Sequence, residues 1–405
     1  MPQVHRSTLT RTSAILLAAL ALLAAFWISS YHLERESLWY DEAWSMWAVR
    51  GDRLTDTLTR VREDVHPPLY FLLLDGWTLP MVAGESAYAV RLLSTLFGMI
   101  GLAATYAVGK RLFDRRTALT ALILLATASF FVYYNREVRM YSLVLALAAL
   151  STWLYLRWLD TPAGAPTWRR GLIYGLCMAA LLYTHYDGAL VIVSHILHLI
   201  VVNVLEARTR AQHVAPLHKR ILRLVLPYVM ALILFAPYVP IILQQFRSNP
   251  NGPLAAPVPT DWGTVAALIY IYTSTYWWLM LLPFILGGAI FALRRNGRAA
   301  LLLLLWLVVT PAVLLAINLW FVPIFQIRYT LAALPAGALI VAYGLRYVKW
   351  RPVALALLMC IATVQLTMFP TLWPPKLPYR EAVQAVVTMR GALEPAITDI
   401  APINP

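Results

Sequence analysis

Two adjacent carboxylates, Asp41 and Glu42, follow the first long apolar run, in the stretch SLWYDEAWSMW over residues 37–47. The four aromatic residues of this stretch are typical of a short helix that lies at a membrane interface. Apolar surroundings make a carboxylate more basic, and a like-charged neighbour adds to the effect. The pair therefore predicts a carboxylate that accepts a proton in catalysis. Alternatively, both side chains only stabilise the N-terminus of the helix through its dipole.

A histidine followed by two prolines, His66-Pro67-Pro68, begins a second apolar surface segment. The positive end of the following helix favours a contact between His66 and an anion. The structural alternative is a helix started by proline, with His66 merely near its N-cap. Arg91 begins the next apolar run, and we expect it to anchor that span at the lipid headgroups rather than to contact a substrate.

The segment YYNREVRMY, residues 133–141, places three charges within four residues between two long apolar runs. Snorkelling to the interface explains one arginine. A glutamate between two arginines predicts instead a cationic site that is oriented by a carboxylate. Arg139 and Glu137 are therefore functional candidates, ahead of Arg136.

Two further clusters belong to the same predicted face: YTHYDG at 183–188, which contains His185 and Tyr186, and FQIRY at 325–329, which contains Arg328 and Tyr329. Arg328 has no acidic residue near it in sequence, so it requires an anion or a distant carboxylate such as Glu137. His185 and Glu137 alone are too few ligands to predict a divalent metal site, and no cofactor is predicted.

The composition excludes an ordinary soluble protein. Of 405 residues, 60% are hydrophobic and only 13% are charged, whereas soluble proteins carry about 25% charged residues. The repeated apolar runs predict an all-α polytopic membrane protein with about 11 transmembrane helices, plus interfacial helices in the first outer loop. The predicted spans are 13–30, 89–109, 117–134, 140–157, 171–185, 189–205, 224–243, 277–293, 299–318, 330–345 and 353–369. The first run resembles a signal peptide but lacks a clean cleavage site, so we interpret it as a retained helix.

The net charge of +14 is explained by topology rather than by nucleic-acid binding. With a cytoplasmic N-terminus, 20 of the 33 basic residues fall in the N-terminal segment and the inner loops, but only three of the 19 acidic residues do. This distribution predicts an extracytoplasmic C-terminus, and the short loops fit a prokaryotic plasma membrane. Residues 1–369 are predicted to form one transmembrane module, with a catalytic outer loop at 31–88 and a flap loop at 244–276.

The tail, residues 370–405, is too short to build a core of its own. It is expected either to pack on the outer loops or to be continued by further residues.

The ionisable groups thus converge on the outer face, while the predicted bilayer interior is nearly uncharged. This pattern disfavours an ion pump or a proton-coupled transporter, which places charges near the midplane. It favours chemistry on an anion carried by a lipid. A flippase of a lipid-linked sugar is the alternative, but it requires phosphate-binding groups on both faces. A scaffold would leave the carboxylate pair and the charged turn unexplained.

Four motifs in this order resemble those of the GT-C glycosyltransferases of the dolichyl-phosphate-mannose protein mannosyltransferase type, which include bacterial aminoarabinose transferases. The motifs are Asp41-Glu42, the sequence HPPL from His66, the charged turn ending in Arg139-Met-Tyr141, and Arg328-Tyr329. The resemblance covers about residues 13–350 and is strongest over 37–141.

The resemblance implies a sugar donor on a polyprenyl phosphate, used on the extracytoplasmic side with inversion at the anomeric carbon. Asp41 would be the general base, and Glu42 would shape its pocket. His66, Arg139 and Arg328 would contact the leaving phosphate. The implied substrate pocket contains Glu137, Tyr141, His185, Tyr186 and Tyr329. Some relatives carry a lysine in place of His66, and neither the sugar nor the hydroxyl acceptor is specified.

Overall fold

The computed structural model describes residues 10–51, 53–161, 168–209, 217–248, 262–273, 286–287, 290, 294–321, 324–373 and 376. Within these ranges all regular secondary structure is helical, so the predicted all-α class is confirmed. The predicted flap loop at 244–276 lies partly outside the described residues, and the tail after Lys376 lies wholly outside them.

Within the described residues, the bundle is built from the following ten helices. They are α1 (Arg11–Ser30), α5 (Ala87–Leu112), α6 (Arg115–Thr127), α8 (Tyr141–Leu159), α9 (Trp168–Thr184), α10 (Gly188–Thr209), α11 (Leu217–Phe235), α14 (Gly297–Trp320), α15 (Leu334–Leu345) and α16 (Arg351–Thr367). Other elements connect or cover them. These are α2 (Tyr40–Val49), α3 (Leu54–Glu63), α4 (Leu69–Thr78), α7 (Ser129–Tyr134), α12 (Val239–Ser248), α13 (Trp262–Thr273), α17 (Phe369–Leu372) and the 3₁₀ helices Ala236–Tyr238 and Ile327–Ala333.

Seven helical segments in the described part of the chain are long and apolar enough to cross a membrane. Large apolar side chains lie exposed on them, such as Leu20 and Leu23 of α1, as a lipid environment requires. The chain is therefore an integral membrane protein. The number of 11 spans stays a prediction, because the predicted span 277–293 lies almost entirely outside the described residues. The predicted span 117–134 is interrupted at Ala128, where α6 ends and α7 begins.

The segment between α1 and α5 contains three short helices, α2, α3 and α4. Asp41 and Glu42 lie in the first turn of α2, where carboxylates interact favourably with the helix dipole. Pro68 is the N-cap residue of α4, so the helix begins at the proline, as in the structural alternative given for His66.

The core forms where α5 packs against α6 and α8, and α15 packs against α6. Trp306 of α14 is fully buried, and its indole N–H donates a hydrogen bond to the carbonyl of Ala332 at 2.9 Å. This bond fixes the 3₁₀ helix Ile327–Ala333, which carries Arg328.

The charged turn between α7 and α8 lies directly on α5. Thr95 donates a hydrogen bond from its hydroxyl to the carbonyl of Asn135 at 3.1 Å. A Cβ atom on Gly98 would lie 1.8 Å from the Asn135 side-chain oxygen. Only glycine therefore allows this close approach, which places Glu137 and Arg139 against the N-terminal half of α5.

We predict that Gly98→Ala destabilises the protein by about 1–3 kcal/mol, because the new methyl group overpacks the contact with Asn135. Gly76→Ala is the matched control, since no atom lies within 4 Å of the added Cβ. It should stabilise α4 by roughly 0.5–1 kcal/mol, as alanine does in helices. Thermal unfolding in detergent distinguishes the two. An unchanged midpoint for Gly98→Ala would show that the turn adjusts freely.

Candidate active site

Asp41 and Arg328 form an ion pair in which the Arg328 Nη1 lies 2.8 Å from the Asp41 Oδ2. The side chains are 18% and 21% exposed respectively, so the pair is accessible but largely removed from solvent. The sequence left Arg328 with either an anion or a carboxylate such as Glu137 as its partner. The carboxylate that it contacts is Asp41, in the first turn of α2.

Arg139 is buried beside this pair, with only 3% of its surface exposed. Its Nη1 lies 3.4 Å from both the Asp41 carbonyl and the Ser45 hydroxyl, and its Nη2 lies 3.2 Å from the His66 Nε2. The guanidinium also lies over the ring of Trp44 at 5.9 Å. The structure therefore brings together Asp41, His66, Arg139 and Arg328, four of the residues that the sequence singled out.

His66 is held by a carboxylate that the sequence interpretation missed. The Asp64 Oδ2 lies 2.6 Å from the His66 Nδ1. Burial and the nearby charge of Arg139 lower the pKa of His66 to about 4. A neutral ring that accepts from Arg139 at Nε2 carries its proton on Nδ1 and donates it to Asp64. The only sequence signal for this pair is an acidic residue two positions before a histidine, and that spacing is too common to predict a contact.

Glu42 is fully buried and lies behind Asp41 rather than in the open part of the site. Its carboxylate accepts from the Arg91 Nε and Nη2 at 2.8 and 2.6 Å, and from the backbone N–H of Val138 at 3.1 Å. Burial acts to raise the pKa of Glu42. The hydrogen bonds and charges of Arg91 and Lys376 outweigh that effect and hold the pKa below its usual value.

The sequence interpretation of Arg91 was wrong. Arg91 is not a headgroup anchor, because it is 2% exposed and pairs with Glu42 inside the protein. Its guanidinium also donates to the carbonyls of Leu33, Glu36 and Ser37, between α1 and α2. A buried arginine requires several hydrogen-bond acceptors. These three carbonyls lie more than fifty residues before Arg91 in the sequence.

Glu137 is also fully buried, but neither of its carboxylate oxygens has a hydrogen-bond partner among the described residues. Burial raises the pKa of Glu137 to about 7, even though the charge of Lys376 acts in the opposite direction. The Lys376 Nζ lies 3.5 Å from the Glu137 Oε1. Arg136 points elsewhere and donates to the carbonyls of Ile28 and His32 near the end of α1.

Lys376 is the second residue that sequence reasoning missed. Its Nζ lies 2.9 Å from the Glu42 Oε2, across a sequence separation of 334 residues. No local pattern marks this lysine, because its partners are set by tertiary packing alone.

Aromatic residues form one wall of the site. The His185 ring lies 5.0 Å from the Tyr329 ring, 5.9 Å from the His66 ring and 6.2 Å from the Tyr141 ring, measured between centroids. The Arg328 guanidinium lies 5.7 Å from the centre of the Tyr141 ring. Tyr186 makes a different contact: its hydroxyl donates a hydrogen bond to the side chain of Gln245 in α12.

Several buried polar atoms of the site have no hydrogen-bond partner within the described part of the protein. They are both carboxylate oxygens of Glu137, the Nε atoms of Arg139 and Arg328, the hydroxyl of Tyr141 and the indole nitrogens of Trp39 and Trp373. Most buried polar groups in proteins are paired. These acceptors and donors, with aromatic rings beside them, suit a polar ligand that carries hydroxyl groups and negative charge. Among the described residues, no group of three or more His, Cys, Asp and Glu side chains could hold a metal ion.

An apolar cavity of about 540 Å³ lies next to the site. It is open to the protein surface and bordered by α3, α4, α9 and α12. Its lining includes Leu58, Leu69, Leu72 and Ile241. Tyr238, which also lines the cavity, donates from its hydroxyl to the backbone carbonyl of His66 at 3.3 Å. The cavity therefore begins beside the residue that contacts Arg139.

Residues 65–244 match the protein family described as dolichyl-phosphate-mannose-protein mannosyltransferase. This segment contains His66, Glu137, Arg139 and His185. Comparison with curated protein sequences gives no match.

Two solved structures show what the fold resembles. ArnT from Cupriavidus metallidurans in the apo state is 16% identical, with a TM-score of 0.60 over 86% of this chain and 62% of that chain. The oligosaccharyltransferase AglB from Archaeoglobus fulgidus, in complex with an inhibitory peptide and a dolichol-phosphate, is 12% identical. Its TM-score is 0.62 over 95% of this chain and 58% of that chain.

The chain thus has the GT-C fold expected from the sequence. It spans less than two thirds of the length of these two proteins.

We predict that Glu42→Gln destabilises the protein by about 3–5 kcal/mol at neutral pH, because it leaves Arg91 buried without a counter-charge. The lowered pKa of Glu42 means that its stabilisation is present above pH 4.5 and is lost as pH falls through the folded-state pKa. The difference in unfolding free energy between variant and wild type should therefore be largest above pH 4.5 and should disappear at lower pH.

Thermal unfolding across this pH range is the measurement, and Asp160→Asn is the control. Asp160 pairs with Arg111, but its side chain is 61% exposed, so its loss should cost less than about 1 kcal/mol. Equal effects of the two substitutions would show that burial does not decide the strength of the Glu42 pair.

Proposed function

We propose that the protein is an inverting membrane glycosyltransferase that moves a sugar from a polyprenyl-phosphate donor to a hydroxyl acceptor on the extracytoplasmic face. The observation that carries the proposal is the 2.8 Å contact of Asp41 with Arg328, beside the buried guanidinium of Arg139. A proton acceptor thus lies next to two fixed cations. The matched family and a TM-score of 0.55 to ArnT bound to undecaprenyl phosphate, at 16% identity, support a lipid-phosphate donor.

The chemistry assigned to these groups is a single displacement. The acceptor hydroxyl attacks the anomeric carbon while the bond from that carbon to the phosphate oxygen breaks, which inverts the configuration. Asp41 accepts the hydroxyl proton. Negative charge accumulates on the leaving phosphate, and Arg139 and Arg328 offset it through charge-assisted hydrogen bonds. Each donor of this kind contributes about 2–4 kcal/mol to transition-state stabilisation.

His66 has a different role in this proposal from the phosphate contact implied by the resemblance. Both ring nitrogens are engaged, one by Asp64 and the other by Arg139. We therefore assign Asp64 and His66 to orienting Arg139. Glu42 has a similar role, because its pairing with Arg91 fixes the start of α2 and hence the position of Asp41.

The apolar cavity beside His66 is assigned to the polyprenyl chain. Its lining is mostly aliphatic, which suits a hydrocarbon. Tyr238 of this lining donates to the carbonyl of His66, whose ring contacts Arg139. A lipid phosphate bound in this way spans a charged and an apolar region at once.

The proposal places the site outside the cell and the N-terminus in the cytoplasm. Arg91 near the start of α5 and Arg111 near its end are about 30 Å apart at 1.5 Å per residue, so they lie at opposite faces. At the Arg111 face, Arg111 pairs with Asp160 and Arg346 pairs with Asp114. Both of these pairs are more exposed than the pair of Asp41 and Arg328, and no observation on the described residues favours the transporter alternative.

We predict that Asp41→Asn lowers sugar transfer by about 10²–10⁴-fold, the usual contribution of a general base. The assay measures transfer of radiolabelled sugar from a panel of polyprenyl-phosphate sugars to endogenous membrane acceptors in reconstituted lipid. Binding of undecaprenyl phosphate should survive, which shows that the variant is folded. Asp160→Asn, at the opposite face, is the matched control and should transfer at the wild-type rate. Transfer that persists in Asp41→Asn would move the base elsewhere, and donor translocation without transfer would replace the enzyme with a flippase.

We also predict that Leu72→Trp weakens binding of radiolabelled undecaprenyl phosphate about tenfold or more, because the indole fills the cavity. Leu73→Trp is the control, since Leu73 is 40% exposed on the same helix and does not line the cavity. Similar affinities for both variants would place the lipid chain outside this cavity.

A further inference from the structure

Lys376 follows the last helices of the described chain and reaches back into the site. Its side chain is only 6% exposed, and its Nζ lies 2.9 Å from Glu42 and 3.5 Å from Glu137. A lysine is rarely buried to this degree unless its charge is paired. Its position between two buried carboxylates therefore indicates a defined role in the charge balance of the site.

Aromatic contacts fix the chain around this lysine. The Trp373 ring stacks on the Tyr133 ring at 4.2 Å and on the Phe130 ring at 6.0 Å. The Lys376 Nζ also lies 5.8 Å from the ring centre of Trp39 and 5.7 Å from that of Tyr133. These contacts tie the start of the tail both to α7 and to the residue that precedes α2.

The two carboxylates depend on Lys376 to different degrees. Glu42 has a bidentate partner in Arg91 and accepts two backbone N–H groups. Glu137 forms an ion pair only with Lys376 among the described residues. Other charges that act on Glu137, with smaller effects, include those of Glu42, Asp41 and Arg328. Glu42 and Asp41 carry the same charge as ionised Glu137, so the anionic form of Glu137 relies mainly on Lys376.

We propose that Lys376 is a positioning residue that favours the carboxylate form of Glu137, whose oxygens then accept hydrogen bonds from substrate hydroxyl groups. The hydroxyl groups are those of the sugar or acceptor, so this part of the inference rests on the proposed transfer reaction. Glu137 lies on the same turn as Arg139, and its two oxygens are buried and lack hydrogen-bond partners. A sugar is the class of ligand that such an acceptor beside aromatic rings would bind.

The first test follows the titration of Glu137 and needs no substrate. Thermal unfolding is measured against pH for wild type and Glu137→Gln, and again for both in a Lys376→Met background. Because burial raises the pKa of Glu137 to about 7, its contribution to stability is present below pH 4.5 and is lost as pH rises through 7. The midpoint of this loss should move up by about 1–3 pH units in Lys376→Met, the usual effect of losing a close opposite charge.

Two further variants control this test. Lys376→Arg keeps the charge and should keep the wild-type midpoint. Lys110→Met removes an exposed lysine at the other face and should leave the midpoint unchanged. Should Lys376→Met alone fail to fold, Lys376→Met with Glu137→Gln should fold, because the carboxylate without a counter-charge is then absent. An unmoved midpoint, or failure of both variants to fold, overturns the proposal.

The second test compares the pH dependence of sugar transfer. In Lys376→Met the acidic limb of the rate profile should shift to higher pH by the same amount as the Glu137 midpoint, with Lys376→Arg unchanged. A shifted midpoint with an unshifted rate profile would overturn the role of Lys376 in the reaction. If neither the wild type nor any variant transfers sugar, the transferase proposal fails. The unfolding data then still report whether Lys376 sets the charge of Glu137.

Discussion

The buried ion pair of Glu42 and Arg91 is the interaction on which the rest of the site depends. It joins the first turn of α2 to the start of α5, and the backbone N–H of Val138 adds the charged turn to the same carboxylate. Three segments that are distant in sequence are therefore fixed by one side chain. Burying two charges is costly unless each has several partners. Here Arg91 also donates to three carbonyls between α1 and α2, so the pair organises this segment and neither charge is unpaired.

The charges of the site fall into two groups with different tasks. Glu42, Arg91 and Lys376 lie in the interior and tie distant segments of the chain together. Asp41, Arg328 and Arg139 lie in front of them, and Asp41 and Arg328 are partly accessible. A preorganised arrangement of this kind costs little rearrangement when charge develops in a reaction. The front group is therefore suited to contact a substrate, while the rear group keeps it in place.

The all-helical membrane fold and three neighbouring candidate residues could be predicted from the sequence, because long apolar runs and the charges between them are local signals. Asp41, Arg139 and Arg328 were identified in this way, and the structure places them together. The partners of these residues could not be predicted. Arg91 looked like a headgroup anchor because its acceptors belong to a loop that folds over it, and Lys376 carries no local pattern. Asp64 was missed because it matters only once His66 is buried. Long-range pairing of charges is decided by packing, which the sequence does not display locally.

The most direct test of the account is a structure of the protein with undecaprenyl phosphate in a lipid nanodisc. The account predicts that the phosphate contacts Arg139 and Arg328, that Asp41 remains beside it, and that the prenyl chain lies in the cavity lined by Leu72. A phosphate bound at the opposite face, or on the outer face without contact to either arginine, would contradict the assignment of this site to a lipid-phosphate donor.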